Sequence, residues 1–257
     1  MQVMQLIVTE DYRELSKKAA QVVAEQIKKK PDAVIGFATG GTPMGLYAEL
    51  IAKYEQGEID FSQITTFNLD EYVGLTKEHP QSYYHFMWEN LFSKVNVQKE
   101  KINFPPGIFT DAAAVCLQYE REMEKAGGID LQILGIGTNG HIGFNEPAES
   151  FEVSTHLIDL AEETIEANAR FFGDKAEVPR KAITMGVGSI MKAKSILLLA
   201  NGKNKAEAVS HIYSGFADPK VPASVLQLHP YVTMIVDKEA AQIIVEEGAS
   251  SLWLHSK

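Results

Sequence analysis

Short apolar runs alternate with longer amphipathic stretches along most of this chain of 257 residues. Several runs are apolar almost throughout, which is typical of strands that are buried on both faces. The strand candidates are Val3–Val8, Ala33–Phe37, Ile64–Leu69, Leu131–Gly135, Ser195–Leu199 and Val232–Val236. Because strands alternate with helical patterns, the sequence predicts an α/β fold, with a mostly parallel sheet and helices on both faces.

Local signals mark the ends of the first two helices. Residues 10–29 form an amphipathic stretch for which Thr9 is the expected N-cap. A second helix is expected after Thr42 as N-cap, with Pro43 at its first position and Gly57 just past its end. No linker or repeat interrupts the pattern, so a single domain over residues 1–257 is predicted. Ligands of such sheets bind beyond the carboxyl ends of the strands.

Composition narrows the class of protein. Hydrophobic residues make up 45% and charged residues 23% of the chain, a mix typical of globular domains. The net charge of -10 disfavours binding to nucleic acid or to an anionic membrane. No apolar run is long enough to span a bilayer, and the N-terminus lacks a signal-peptide pattern. Cys116 is the only cysteine, which favours a reducing, cytoplasmic location.

The first predicted strand end with chemistry is the segment from Thr39 to Thr42. Gly40 and Gly41 let the backbone approach a ligand closely, and Thr39 and Thr42 offer hydroxyl groups. The following helix directs its free N–H groups at the same place, which favours an anion such as phosphate. An ordinary capped turn is the simpler alternative. The Walker pattern is absent, so a nucleoside triphosphate is not expected.

The second strand end carries adjacent carboxylates in the stretch NLDEY. A solvated loop acid is the simplest explanation for Asp70. At the carboxyl end of a sheet, however, an Asp can be partly buried, with a raised pKa that suits a general base.

The third is the stretch GIGTNGHIGFNEP, from Gly135 to Pro147. Its glycines match the dinucleotide fingerprint, but no helical pattern follows, so a nicotinamide cofactor is excluded. Asn139, His141 and Glu146 remain as a group that can move protons. A purely structural histidine is the alternative. A metal site is not expected, because His-x4-Glu without a second histidine nearby is a poor zinc pattern.

The fourth strand end is ANGKNK, which places Lys205 near a glycine. A pair of surface lysines is the common case, but at the same sheet edge as an anion cradle a lysine can neutralise phosphate. Arg170, in NARFF, can add a bidentate contact from a neighbouring segment.

Together, ATGGTP, TFNLDEYVGL, GIGTNGHIGFNEP, NARFF and GKNKAEAV resemble the glucosamine-6-phosphate deaminase (isomerase) family, from about Val34 to Pro230. The resemblance implies a Rossmann-like fold and conversion of glucosamine 6-phosphate and water to fructose 6-phosphate and ammonia. It also implies that no metal or redox cofactor takes part.

By matching position, the resemblance implies a role for each candidate residue. Asp70 is expected to move a proton between C2 and C1. His141 is expected to open the sugar ring with Glu146 as its partner. The phosphate grip is expected from Thr39, Gly40, Gly41, Thr42, Arg170 and Lys205. The segment 156–180 resembles the mobile lid of the family, which would carry Arg170 over the phosphate.

Two departures from the family pattern bear on function. Many members have Asp where this chain has Asn139, so the amide is expected to orient His141 without supplying a charge, and the pH profile is expected to differ. Allosteric members bind an N-acetylated effector through basic residues, whereas this chain has His156 and Ile158 there. We therefore expect no allosteric activation, and a monomer or small homo-oligomer in place of a hexamer.

Two other classes share this scaffold. A 6-phosphogluconolactonase has the fold and a Gly-His loop but needs no base at C2, and its family does not resemble the NLDEY and FNEP segments. A sugar-phosphate sensor of a transcriptional regulator needs a helix-turn-helix, for which the first residues offer only one strand and one helix.

Overall fold

A computed structural model describes residues 4–213 and 215–246 of the chain. The strands in this part are β1 (Gln5–Thr9), β2 (Val34–Phe37), β3 (Thr65–Asn68), β4 (Asp70–Tyr72), β5 (Ile102–Asn103), β6 (Leu131–Gly135), β7 (His156–Asp159), β8 (Lys181–Thr184), β9 (Ile196–Ala200) and β10 (Val232–Asp237). The α-helices are α1 (Tyr12–Lys29), α2 (Met44–Glu55), α3 (Tyr83–Asn90), α4 (Ala112–Lys125), α5 (Glu162–Phe172), α6 (Val187–Met191), α7 (Ala206–His211) and α8 (Gln242–Glu246).

The main sheet has seven parallel strands in the order β1-β10-β9-β6-β2-β3-β5. The six predicted strands are confirmed, with ends that shift by up to two residues. The sequence did not reveal β5, because it is only two residues long. It also did not reveal a small antiparallel sheet, β4-β8-β7. The polar strand Asp70–Tyr72 gives no apolar signal that a pattern can detect.

Helices cover both faces of the main sheet, as predicted. On one face, α1, α2 and α3 pack against inward side chains such as Leu197 and Leu199. On the other, α4, α6, α7 and α8 pack against Leu198 and Met234. Consecutive β9 side chains therefore enter opposite cores, which explains why the strand is apolar throughout.

Two predicted helix caps are wrong. Asp11 caps α1 by accepting the N–H of Glu14, while Thr9 ends β1 and donates to the Val236 carbonyl. At α2 the cap position belongs to Pro43, and the Thr42 hydroxyl is used elsewhere. Both threonines are drawn into longer-range hydrogen bonds. The predicted end of α2 is confirmed, since Gly57 follows the helix at φ 72°.

No helix in the described ranges is long and apolar enough to cross a membrane.

Candidate active site

The four chemistry-bearing strand ends lie side by side. Strands β9, β6, β2 and β3 are consecutive neighbours in the parallel sheet, so their carboxyl ends share one edge. The chain places β3 and then β5 on one side of β2, and it later places β6 on the other side of β2. The gap between β2 and β6 is therefore a topological switch point, where ligands of such sheets bind.

The loop after β2 is open for a ligand. A Cβ atom at Gly40 or Gly41 would meet nothing within 4 Å, and Gly40 has φ 104°. Thr42 Oγ1 donates to Asn201 Oδ1 at 2.7 Å, which ties this loop to the one after β9, across the end of β6. The structure thus brings the predicted anion cradle and the lysine loop together.

Tyr12, at the start of α1, contacts the same loop. The sequence does not indicate this role. The Tyr12 hydroxyl accepts the Gly45 N–H at 2.7 Å and lies 3.1 Å and 3.0 Å from the carbonyl oxygens of Gly41 and Thr42. A tyrosine 30 residues away in the chain gives no local signal for such a role, since the contact exists only once α1 packs against α2.

The loop after β9 is anchored by Asp237 and contains Lys205. The Gly202 N–H donates to both carboxylate oxygens of Asp237, at 3.0 Å and 2.9 Å. Lys205 is half-buried, and burial lowers the pKa of its amine. No ion pair or hydrogen bond of this amine occurs within residues 4–213 and 215–246. A half-buried amine on a loop that is tied to an open anion cradle can neutralise a bound phosphate.

Arg170 lies in the C-terminal half of α5, as the backbone shows. Its side chain lies outside what the structure describes, so its contact with phosphate stays a prediction.

Asp70 is the first residue of β4 and is only 7% exposed. Its backbone pairs with Thr184 of β8. A Cβ atom at Gly143 would lie 3.5 Å from Asp70 Oδ2, so the carboxyl group faces the loop that follows β6. Burial, together with the adjacent charge of Glu71, raises the pKa of Asp70 to about 8. The solvated-loop alternative is therefore wrong for this residue.

Glu71 holds the strand that carries Asp70. Its Oε1 accepts the N–H groups of Tyr72 and Tyr83, and its Oε2 accepts that of Tyr84, each at 2.9 Å. The carboxylate therefore caps the first turn of α3, where the helix dipole favours negative charge. Burial raises the pKa of Glu71 to about 7, and these N–H groups oppose the rise. The sequence indicates Glu71 only as the neighbour of Asp70, because the contact with α3 is not visible in the local pattern.

The loop after β6 brings Asn139, His141 and Glu146 together. His141 Nδ1 lies 3.3 Å from Glu146 Oε1, within ion-pair distance but without the alignment of a hydrogen bond. Asn139 Nδ2 donates to Glu146 Oε2 at 2.7 Å, and its Oδ1 accepts the backbone N–H of His141 at 3.2 Å. The amide therefore orients Glu146 and the loop backbone, where the sequence suggested an effect on His141 itself.

Two neighbours define the positions of these side chains. A Cβ atom at Gly137 would overlap the imidazole of His141, so the ring packs flat against that glycine. Thr164 of α5 donates from Oγ1 to Glu146 Oε1 at 3.0 Å. Burial raises the pKa of Glu146, but His141, Asn139 and Thr164 outweigh it and hold the pKa below its usual range. The sequence gave no sign of Thr164, because the contact depends on how α5 docks.

The site thus combines a buried carboxyl group, an imidazole–carboxylate pair and an anion cradle along one sheet edge. Within the described part of the chain, no three His, Cys, Asp or Glu side chains cluster as a metal site. A groove of about 600 Å³ lies elsewhere, between α4 and β7, and contains none of the predicted site residues. Asp70, His141 and Glu146 can transfer protons, and they lie at the sheet edge. We therefore assign the candidate active site to that edge.

The fold and the site define a sugar-phosphate enzyme class. The chain belongs to the glucosamine-6-phosphate isomerases/6-phosphogluconolactonase family, whose profile matches residues 9–234.

Individual relatives are more specific. A glucosamine-6-phosphate deaminase of Thermoanaerobacter pseudethanolicus is 61% identical over 249 residues, covering 97% of this chain and 98% of that protein. The protein of the same name from Halothermothrix orenii is 56% identical and covers 94% of this chain and 100% of its own length. A solved monomeric glucosamine-6-phosphate deaminase matches with a TM-score of 0.90 at 46% identity, over 93% of this chain and 100% of that one. The 6-phosphogluconolactonase of Thermotoga maritima matches with a TM-score of 0.72 at 20% identity, over 91% of this chain and 100% of that one, which shows a common fold alone.

Proposed function

We propose that this chain is a glucosamine-6-phosphate deaminase, which converts glucosamine 6-phosphate and water to fructose 6-phosphate and ammonia. The observation that carries the proposal is the buried Asp70 carboxyl group facing the loop of His141 and Glu146. A ring-opening group and a base for a carbon-bound proton thus share one cleft.

Ring opening is the first step. His141 takes the proton of the O1 hydroxyl and returns a proton to O5 as the C1–O5 bond breaks, which leaves an aldehyde at C1. Glu146 stabilises the imidazole while it carries the extra proton, because its own carboxyl group stays ionised at a lowered pKa.

Proton transfer from C2 to C1 needs Asp70 as a carboxylate. In the free protein its pKa of about 8 keeps it largely protonated at neutral pH. The substrate carries an ammonium group at C2, and an opposite charge in contact lowers the pKa of a carboxyl group. Substrate binding therefore generates the base at the atom where it is needed.

Deamination follows from the same carboxyl group. Asp70 takes the C2 proton while a proton passes from the ammonium group to O1, which gives an aminoenol. Asp70 then returns its proton to C1, which leaves an iminium ion at C2. Asp70, again a carboxylate, accepts a proton from the water that adds to C2. The carbinolamine then expels ammonia, and the C2 carbonyl of fructose 6-phosphate forms.

Phosphate binds to the loop Thr39–Thr42, with Lys205 as counter-charge and Arg170 as a further contact. Support for the first two comes from the open glycine backbone and from the half-buried lysine on the loop that Asn201 ties to it.

The segment 156–180 serves as a lid that brings Arg170 over the bound phosphate. Its base is anchored, since β7 pairs with β8 and the Leu160 N–H donates to the Arg180 carbonyl at 2.8 Å. Movement of the lid is thus confined to the residues between Leu160 and Arg180. If Arg170→Ala left the KM for glucosamine 6-phosphate unchanged, the lid proposal would fail.

A direct assay tests the function. Purified protein with glucosamine 6-phosphate should release ammonia and fructose 6-phosphate in equal amounts, with and without a chelator such as EDTA. Asp70→Asn should lower kcat by about 10² to 10⁴, the usual contribution of a positioned base. Hydrolysis of 6-phosphogluconolactone without ammonia release would instead assign the lactonase activity. Full activity of Asp70→Asn would contradict the mechanism, and loss of turnover in EDTA would contradict metal independence.

A further inference from the structure

The carboxyl group of Glu146 receives hydrogen bonds from two separate parts of the chain. Its Oε2 accepts from Asn139 of the same loop at 2.7 Å, and its Oε1 accepts from Thr164 of α5 at 3.0 Å. His141 approaches Oε1 as well, at 3.3 Å, but without hydrogen-bond alignment. The hydroxyl of Thr164 is therefore the contact that depends on where α5 lies.

Helix α5 docks on the active site through apolar contacts. Ile165, the residue after Thr164, is buried in a small cluster with Tyr72 and Phe144. Phe172, at the end of the helix, packs edge-on against Tyr72 with ring centroids 5.7 Å apart. Phe144 belongs to the loop of Glu146, and Tyr72 belongs to the strand of Asp70. The helix therefore contacts both halves of the catalytic machinery.

The same helix carries Arg170, which the proposed function assigns to phosphate. Six residues of α-helix span about 9 Å, so Thr164 and Arg170 move together as parts of one rigid element. A shift of α5 that brings the arginine to the phosphate also sets the distance between the Thr164 hydroxyl and Glu146.

We propose that Thr164 is a positioning residue, through which docking of α5 orients Glu146 for ring opening. Resting on the proposed function, this couples capture of the phosphate to assembly of the acid–base pair at the other end of the sugar. With α5 undocked, Glu146 keeps only its contacts within its own loop, and its Oε1 is free to turn away from His141.

The decisive pair of variants is Thr164→Val and Thr164→Ser. Valine keeps the shape of threonine and removes the hydroxyl, whereas serine keeps the hydroxyl. We expect Thr164→Val to lower kcat by about tenfold or more, the effect of losing one hydrogen bond to a charged group, and Thr164→Ser to restore most of it.

The pH profile separates positioning from loss of structure. Thr164 is one of the groups that hold the pKa of Glu146 down, and His141 is the titratable side chain placed against it. Without the hydroxyl the carboxylate is less stabilised, so the acidic limb of the kcat profile should move to higher pH in Thr164→Val and return in Thr164→Ser.

Lys175→Ala is the matched control. Lys175 pairs with Glu166 and Glu162 on the exposed side of the same segment, at 2.8 Å and 3.7 Å. Its loss removes surface ion pairs but leaves the buried contact of Ile165 and the hydrogen bond from Thr164 to Glu146 in place, so the acidic limb should stay where it is in the wild type.

A measurement without substrate keeps this inference apart from the proposed function. The side-chain carboxyl carbon of Glu146, assigned by its disappearance in Glu146→Gln, can be titrated by ¹³C NMR in the free protein. Thr164→Val should raise its pKa and Thr164→Ser should not. Equal titration curves and equal pH profiles in the wild type and Thr164→Val would overturn the inference, even if the wild type releases ammonia. If the wild type released no ammonia, the NMR titration would still decide whether Thr164 positions Glu146.

Discussion

At the scale of single residues, two consecutive buried acids set the character of the site. Among the described residues, none forms a hydrogen bond with the Asp70 carboxyl group, and burial raises the pKa of this group to about 8. Glu71 receives three N–H groups and remains at about 7. The Asp70 carboxyl group is thus available for chemistry, whereas the Glu71 carboxyl group is occupied by hydrogen bonds from the start of α3. A strongly shifted acid in a cleft is a common mark of function, and it costs stability.

This cost gives a pH-dependent prediction for Asp70→Asn. The folded pKa of about 8 lies above the ordinary value of 3.8, so the folded protein binds the proton more tightly than the unfolded chain. The stability that protonation contributes is fully present below about pH 4 and is lost as the pH rises through 8. Asparagine carries no charge, so the variant should have a higher Tm than the wild type near pH 9, with a gap that shrinks towards pH 5. In a domain of this size each 1 kcal/mol shifts Tm by about 2–4 °C. A gap that does not change with pH would contradict the burial argument.

Gly137 gives a second prediction at this scale. Any side chain there overlaps the His141 imidazole, so Gly137→Ala must displace the ring from its position 3.3 Å from Glu146 Oε1. Displacement of a catalytic group by about 1 Å costs about 10²-fold in rate, and we expect a loss of that order in kcat. Circular dichroism and thermal unfolding should show a folded protein. Unchanged kcat would mean that the position of the ring is not critical.

At the scale of elements, the candidate site depends on strands and helices whose positions the apolar pattern does not reveal. The small sheet β4-β8-β7 fixes Asp70 through its pairing with Thr184, and α5 reaches Glu146. Helix α1 has a similar role at the other end of the candidate site, where Tyr12 contacts the predicted anion cradle.

Tyr12→Phe tests that support. The change removes one oxygen atom and its contacts with Gly41, Thr42 and Gly45. A less ordered cradle binds phosphate more weakly, so KM should rise by about five- to tenfold, the value of roughly one hydrogen bond, while kcat changes little. Steady-state kinetics with glucosamine 6-phosphate measures both. A fall in kcat at constant KM would show that Tyr12 acts on the reacting end instead.

At the scale of the whole molecule, strand order decides what meets what. The switch point between β2 and β6 opens one edge of the sheet, and four loops from residues 39 to 205 converge there. A half-buried lysine at this edge can attract an anionic substrate in spite of a net charge of -10, since short distances inside a cleft outweigh distant charge.

We predict that the protein is a monomer or a small homo-oligomer without allosteric activation. Sedimentation velocity should give a species at 28.4 kDa or a small multiple of that mass. Turnover should depend hyperbolically on glucosamine 6-phosphate and should not respond to its N-acetylated analogue. A hexamer with sigmoidal kinetics would contradict the prediction. A cytoplasmic location, which rests on the single cysteine, also stays a prediction.

The sequence by itself determined the main sheet and the sheet edge that carries the candidate site. Strands such as Ile196–Ala200 are apolar on both faces, and Gly40 and Gly41 mark a tight turn at a strand end, so local pattern is sufficient for both. Tertiary structure alone decided how the candidate catalytic side chains are held. The contacts of Thr164 with Glu146, of Glu71 with Tyr83 and of Tyr12 with Gly45 join segments that carry no common periodicity. They exist because helices pack at particular angles on a particular strand order, and no local propensity encodes that geometry.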